Sequence, residues 1–163
     1  MTYTYNLPTP LGPVLLASDG ENLTGLWFDG QKYFALGLAE RPVRKSLPVF
    51  DQAELWLRQY FSGTIPSFTP ALAPKGSNFR HAVWDILLSV PYGSTTTYGG
   101  IAERLRTSGI NASAQAVGGA VGHNPISLII PCHRVLGADG SLTGYAGGLD
   151  KKFALLKLEG IID

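Results

Sequence analysis

Ile129-Ile130-Pro131-Cys132-His133-Arg134-Val135 holds the only cysteine of this 163-residue chain, one of its three histidines and an arginine, in immediate succession. The β-branched lead-in and the Val135-Leu136 exit predict a buried strand broken at Pro131, whose ring fixes φ and removes a backbone donor. Such a break can aim a side chain into a pocket. A lone cysteine is ordinarily a small buried hydrophobe. The neighbours argue against that here: an apolar core position has no use for His133 and Arg134, whereas a thiol that must ionise gains from nearby positive charge. Cys132 is therefore the candidate nucleophile.

Working outward, 45% of the residues are hydrophobic, enough for one domain with a proper core or for two small ones. The formal charge is +1 and the sequence pI about 7.9, so nothing global announces a nucleic-acid or membrane partner, and local charge must carry that argument. One cysteine cannot form an internal disulfide, and Met1-Thr2-Tyr3-Thr4-Tyr5 lacks the basic and apolar regions of a signal peptide. A cytoplasmic protein is expected. No apolar run approaches the ~20 residues that span a bilayer, and metal-ligand spacing is absent, so neither a membrane, a metal nor a cofactor is expected.

Thr2 to Leu7, Gly12 to Ala17 and Leu23 to Phe28 are short aromatic, β-branched and aliphatic runs, punctuated by Pro8, Pro10, Asp19-Gly20 and Asp29-Gly30. They predict a small antiparallel sheet. From Pro48, which suits a first helical turn, Phe50, Ala53, Leu57 and Phe61 share one face until Gly63. One helix should close the sheet, with Trp56 and Tyr60 packing in it. Gly63 to Gly76 collects Pro66, Pro70 and Pro74, which reads as a linker. This places an N-terminal domain at 1–76 and a second at 77–163.

In the second domain, Ser77-Asn78 can cap a helix carrying Phe79, Val83, Ile86, Leu87 and Val90 at helical spacing, stopped by Pro91-Tyr92-Gly93. His81 lies off that face and reads as solvated. Thr97 can cap a short helix through Arg106, with Ile101, Ala102 and Leu105 on one face. A turn at Gly109 leads to a second short helix, Ser113 to Gly122. Two short helices joined by a glycine-containing turn resemble a helix-turn-helix, which commonly binds DNA with its second helix.

That second helix offers Gln115 and otherwise Ala114, Ala116, Gly118, Gly119, Ala120 and Gly122, so it reads little base sequence. Small residues suit close approach to a groove or to phosphates, and equally suit tight packing inside the protein. Arg104, Arg106 and Arg134, with His123 and His133, against Glu103 alone make the segment from Tyr98 to Val135 locally basic, which favours DNA.

After the cysteine, Ala138-Asp139-Gly140-Ser141 predicts a turn in a hairpin. Thr143-Gly144-Tyr145-Ala146-Gly147-Gly148 then predicts a glycine-rich loop able to wrap a planar ligand; the phosphate-loop pattern is missing. Asp150 can cap a last helix with Phe153, Leu155, Leu156 and Leu158 apolar. Glu159 at its end is placed to fold back on a histidine.

These residues resemble the 6-O-alkylguanine-DNA alkyltransferases. The resemblance is carried by Val83-Trp84, Pro91-Tyr92-Gly93, Thr97-Tyr98, Ala116-Val117-Gly118, Asn124-Pro125, the Pro131 to Val135 run, Gly144-Tyr145-Ala146-Gly147-Gly148 and Glu159-Gly160. It covers the whole second domain and matches the first loosely, in its order of strands then helix. It implies an α+β protein: a small ribonuclease-H-like α/β domain, then a helical domain whose helix-turn-helix enters the minor groove of DNA while the damaged base is flipped out.

The same resemblance implies that Cys132 accepts the alkyl group, that His133 deprotonates it through a water, and that Glu159 orients His133. Asn124 would support the turn beside the site. Tyr98 would press on the phosphate of the rotated nucleotide and donate toward the guanine ring. Tyr145, Ala146, Gly147 and Val135 would wall the pocket, and Ala114, Gln115, Gly118, Gly119 and Arg134 would meet DNA. The implied partner is double-stranded DNA carrying alkylated guanine, without sequence preference, bound by a monomer. One departure stands out. Gln115 occupies the place of the family's arginine finger, and a few extra residues lie between Arg104 and Ala114, which bears on lesion extrusion and DNA affinity rather than on catalysis.

The chemistry is consistent with this. Removing an alkyl group from guanine oxygen is displacement at saturated carbon, which a thiolate suits. The thioether product has no carbonyl for water to attack and the chain has no second thiol to resolve it, so the protein reacts once. A cysteine hydrolase would turn over and need an oxyanion hole, which nothing here marks. A lesion-sensing or regulatory helix-turn-helix protein without turnover would have no need of Cys132.

Overall fold

Short apolar runs, separated by the proline-rich stretch from Pro8 to Pro13 and by the Asp19-Gly20 turn, form three strands in the first 28 residues: β1 (Tyr3–Leu7), β2 (Val14–Ser18) and β3 (Leu23–Phe28). The computed structural model describes residues 1–38 and 41–163. β1 and β2 pair antiparallel from Tyr3 opposite Ser18 to Leu7 opposite Val14, and β2 pairs antiparallel with β3 with a bulge at Ala17 and Ser18. A fourth strand, β4 (Val43–Arg44), adds in parallel to β1, giving the order β3-β2-β1-β4. The sequence reading expects only antiparallel strands; two exposed residues are too few to show a period. At Gly25 a side chain would run into the Trp27 ring, so a glycine is required there.

Helix α1 (Pro48–Phe61) begins with Pro48 in its first turn and buries Val49, Phe50, Ala53, Trp56, Leu57 and Tyr60. Trp56 and Tyr60 stack at 5.2 Å. The stretch expected as a linker is tied down: the Leu23 amide donates to the Ala71 carbonyl at 2.7 Å and the Ala73 amide to Leu23 at 2.9 Å. Leu26 is bonded in the same way by Pro125 and Ser127. Both short segments cover backbone groups of β3 that an edge strand would otherwise leave unpaired. Residues Met1–Lys75 with Pro125–Ser127 form one compact unit, and Gly76–Asn124 with Leu128–Asp163 the other.

In the second unit three side-chain caps start three helices. Ser77 accepts from the Arg80 amide at the head of α2 (Asn78–Ser89), Thr97 from Gly100 at α3 (Tyr98–Thr107), and Ser113 from Ala116 at α4 (Ala114–Gly122). Each cap satisfies one of the amides that a helix start leaves without a partner, for about 1 kcal/mol. Val83, Trp84, Leu87, Ile101, Ala102, Leu105, Val117, Ala120 and Val121 are buried in this unit, and Trp84 Nε1 donates to the Ala120 carbonyl at 2.9 Å. His81 is half-buried with its ring edge-on to Trp84 at 5.3 Å, not fully solvated.

Three local expectations fail. The Ile129 to Val135 stretch is no broken strand: Leu128 takes φ 71°, the Cys132 amide bonds to the Ile130 carbonyl, and Cys132–Arg134 form one 3₁₀ turn. Only β6 (Val135–Leu136) stays extended, and it pairs in parallel with β5 (Thr96–Thr97), so no hairpin leads into the glycine-rich loop. The last helix, α5 (Leu149–Leu158), is preceded by Gly148 at φ 102° with no side-chain cap; Asp150 sits inside its first turn. Its Phe153 is exposed and its Lys152 is fully buried, the reverse of what hydropathy suggests.

Candidate active site

A 3₁₀ turn advances about 120° per residue, so Cys132, His133 and Arg134 leave the backbone in three directions. All three are buried. Asn124 fixes the approach: its Nδ2 donates to the Ile130 carbonyl at 2.8 Å, and its side chain also bonds the thiol. Burial pushes the Cys132 thiol above its ordinary range, against the opposing pull of Asn124 and of the Lys152 charge.

Glu159, the residue that ends α5, gathers the other two side chains. His133 Nε2 lies 2.5 Å from Glu159 Oε2, and the Arg134 guanidinium donates to both carboxylate oxygens, from Nε at 2.8 Å and from Nη2 at 3.2 Å. The Gly93 amide adds a bond to Oε1 at 3.0 Å. Burial alone would raise the Glu159 pKa; His133, then Arg134 and the Gly93 amide, hold it instead at about 2. Burial keeps His133 below its ordinary pKa in spite of Glu159. Near neutral pH the site thus pairs a protonated thiol with a neutral imidazole and a fixed carboxylate.

Arg134 corrects the sequence reading, which sends it to DNA and lets it bring positive charge to the thiol. Instead it is buried, donates to Glu159 and to the Val90 carbonyl at 2.8 Å, and lies over the Tyr92 ring. A guanidinium with these donors engaged inside the unit has little left for phosphate.

The glycine-rich loop is close by. The Tyr145 ring meets His133 edge-on at 6.5 Å, and its buried hydroxyl has no hydrogen-bond partner among the described residues. Burial and the neighbouring Cys132 push that hydroxyl well above its usual pKa. Ala146 and Gly147 are half-buried, whereas Val135 is fully buried beside Thr96. Tyr98, the first residue of α3, donates to the Thr143 carbonyl at 3.3 Å and stands beside Gly118 of α4.

On α4, Ala114, Gln115 and Gly119 are exposed and Gly118 is half-buried. A side chain built at Gly119 or Gly122 would meet nothing within 4 Å. Packing inside the protein does not require these glycines. That favours the reading in which the face is kept bare for an outside surface.

Two family models match the chain. One, described as the 6-O-methylguanine DNA methyltransferase DNA binding domain, matches residues 78–161, and the other, the ribonuclease-like domain of the same methyltransferase, matches residues 1–74. The chain belongs to the 6-O-methylguanine DNA methyltransferase family. A methylated-DNA-protein-cysteine methyltransferase of Haemophilus influenzae is 44% identical, the match covering 98% of this chain and 86% of the relative. One of Methanosarcina acetivorans is 46% identical over 93% and 94%. The crystal structure of Mycobacterium tuberculosis OGT in complex with DNA superposes with a TM-score of 0.85 at 41% identity, covering 96% of this chain and 92% of that one.

Within this family member, Lys152 and the Gly93 amide are site components that the sequence reading missed. A signal for Lys152 existed: it lies three and four residues before Leu155 and Leu156, on the face they bury. Nothing local marks a backbone amide such as that of Gly93. Among the described residues no group of three or more His, Cys, Asp or Glu could hold a metal ion, and no helix is long and apolar enough to cross a membrane.

Proposed function

We propose that this chain repairs alkylated DNA by direct reversal, once per molecule, with Cys132 as acceptor. The observation that carries this reading is the buried Cys132 next to a His133 that Glu159 holds at 2.5 Å, in the family member described above. The thiol proton passes to His133 through a water. The sulfur attacks the alkyl carbon on guanine O6, a C–S bond forms as the C–O bond breaks, and guanine leaves with the electron pair and regains a proton. Glu159 stabilises the imidazolium formed on the way. Asn124 holds the turn in place. Tyr145, Ala146 and Gly147 wall the pocket, and Tyr98 turns from Thr143 toward the flipped nucleotide.

The partner in this reading is duplex DNA carrying alkylated guanine. It is met by α4 through Ala114, Gln115, Gly118 and Gly119, with too few base-reading side chains for sequence preference. The chain acts as a cytoplasmic monomer of two domains, 1–76 and 77–163. With duplex carrying 6-O-methylguanine in excess, repair should stop at one equivalent per protein; sustained turnover contradicts the proposal.

Gln115 is where affinity is set. Its amide can fill the vacated stack but lacks the charge and plane of a guanidinium. Gln115→Arg should bind duplex more tightly and steepen the log-log salt dependence by up to about one unit, while Gln115→Ala mainly slows repair of duplex lesions. Titrations at several salt concentrations check this. If the Arg variant leaves affinity and slope unchanged and the Ala variant repairs duplex and single strands at the wild-type rate, the residue is not the finger.

A further inference from the structure

Lys152 is a fully buried cation that takes no part in the proton transfer or the displacement at sulfur. Its Nζ donates to the carbonyls of Val135 at 2.5 Å, Thr143 at 2.7 Å and Gly144 at 3.1 Å. An ammonium has three donors, and all three are satisfied by backbone. These acceptors are specific to the site: Val135 directly follows the 3₁₀ turn that carries Cys132, and Thr143 and Gly144 open the loop that carries Tyr145. The Thr143 carbonyl also accepts the Tyr98 hydroxyl, so one carbonyl joins α3, α5 and the loop.

We propose that Lys152 is a positioning residue for alkyl transfer: its ammonium clamps the start of the pocket loop to the strand after the nucleophile and sets a buried positive charge within electrostatic reach of the thiol. This rests on Cys132 being the acceptor. The titratable group that acts on Cys132 is Lys152 from α5; Cys132 in turn acts on Tyr145 of the loop, and Lys152 acts on Cys132 and His133. Burial brings Lys152 down to about 8, and the Cys132 charge opposes that fall. Arg134, the cation adjacent in sequence, is engaged by Glu159, which leaves the part to Lys152.

The full chain carries one cysteine, so intact mass after brief exposure to iodoacetamide reports Cys132 alone. At pH 7, where Lys152 with its pKa of about 8 still carries its charge, Lys152→Met should slow this alkylation roughly tenfold. Transfer from a methylated duplex at the same pH should slow by a similar factor, while affinity for unmodified duplex stays at the wild-type level. A Lys152→Met protein that folds and keeps the wild-type rates of alkylation and transfer overturns the proposal. Lys152→Arg decides the matter if the Met variant does not fold. It keeps the charge but not the fit to three carbonyls, so alkylation at pH 7 should hold while amide exchange over 143–148 rises several-fold. Slowed alkylation in this variant overturns the electrostatic placement, and wild-type exchange overturns the clamp. Failure of the underlying reading looks different: wild-type Cys132 would not take a methyl group from DNA at all.

Discussion

Glu159→Ala is expected to cost about 3–5 kcal/mol of folding stability, because it strips the counter-charge from the buried Arg134 and the partner from the buried His133. In a chain of this length that corresponds to a fall in Tm of about 10 °C or more. The same carboxylate sets an acid limit. Its pKa is about 2 in the folded protein against an ordinary 4.5. The unfolded chain therefore takes up the proton first as pH falls. The stabilisation is complete above the unfolded value and is lost as pH drops from around 4.5 toward about 2, by about 3 kcal/mol in total. Thermal melts of wild type and Glu159→Gln across this range should converge on acidification. Parallel curves, or an alanine variant as stable as wild type, would mean that the Arg134 ion pair and the His133 hydrogen bond contribute nothing.

The second large effect is on rate. Burial holds Cys132 protonated and His133 neutral near pH 7, so transfer depends on moving the thiol proton as the sulfur attacks. His133→Phe should slow transfer by about 10²–10⁴-fold at neutral pH. Part of the loss should return as pH rises and solvent ionises the thiol unaided. Because His133 has no exposed surface, affinity for unmodified duplex should be kept. Single-turnover rates against pH, with binding measured separately, check both halves. A wild-type rate profile would remove His133 from the mechanism.

Elements that depend on neighbours along the chain are legible in the residues alone. Ser77 and Thr97 each bond an amide three residues on, so α2 and α3 start where their caps predict, and Ser113, read as the first residue of its helix, caps α4 in the same way. Elements that depend on distant chain are not legible in this way. β4 and β6 have two residues each and exist only because β1 and β5 supply a partner. The site divides along the same line. Cys132, His133 and Glu159 announce themselves by residue type and by family resemblance. Arg134 misleads, because adjacency along a 3₁₀ turn is divergence in space, and its charge goes to Glu159 rather than to DNA. Lys152 is marked only by its place on the face of Leu155 and Leu156; the three carbonyls that hold its ammonium come from other segments and cannot be read locally.

The central claim is that Cys132 takes the alkyl group from DNA and keeps it. The most direct test is intact and peptide mass of the wild-type protein after mixing with an excess of duplex carrying 6-O-methylguanine. The predicted result is a gain of one methyl group, located on Cys132, with one equivalent of lesion consumed. A methyl group on any other residue, an unmodified protein beside repaired DNA, or several lesions repaired per molecule would contradict it.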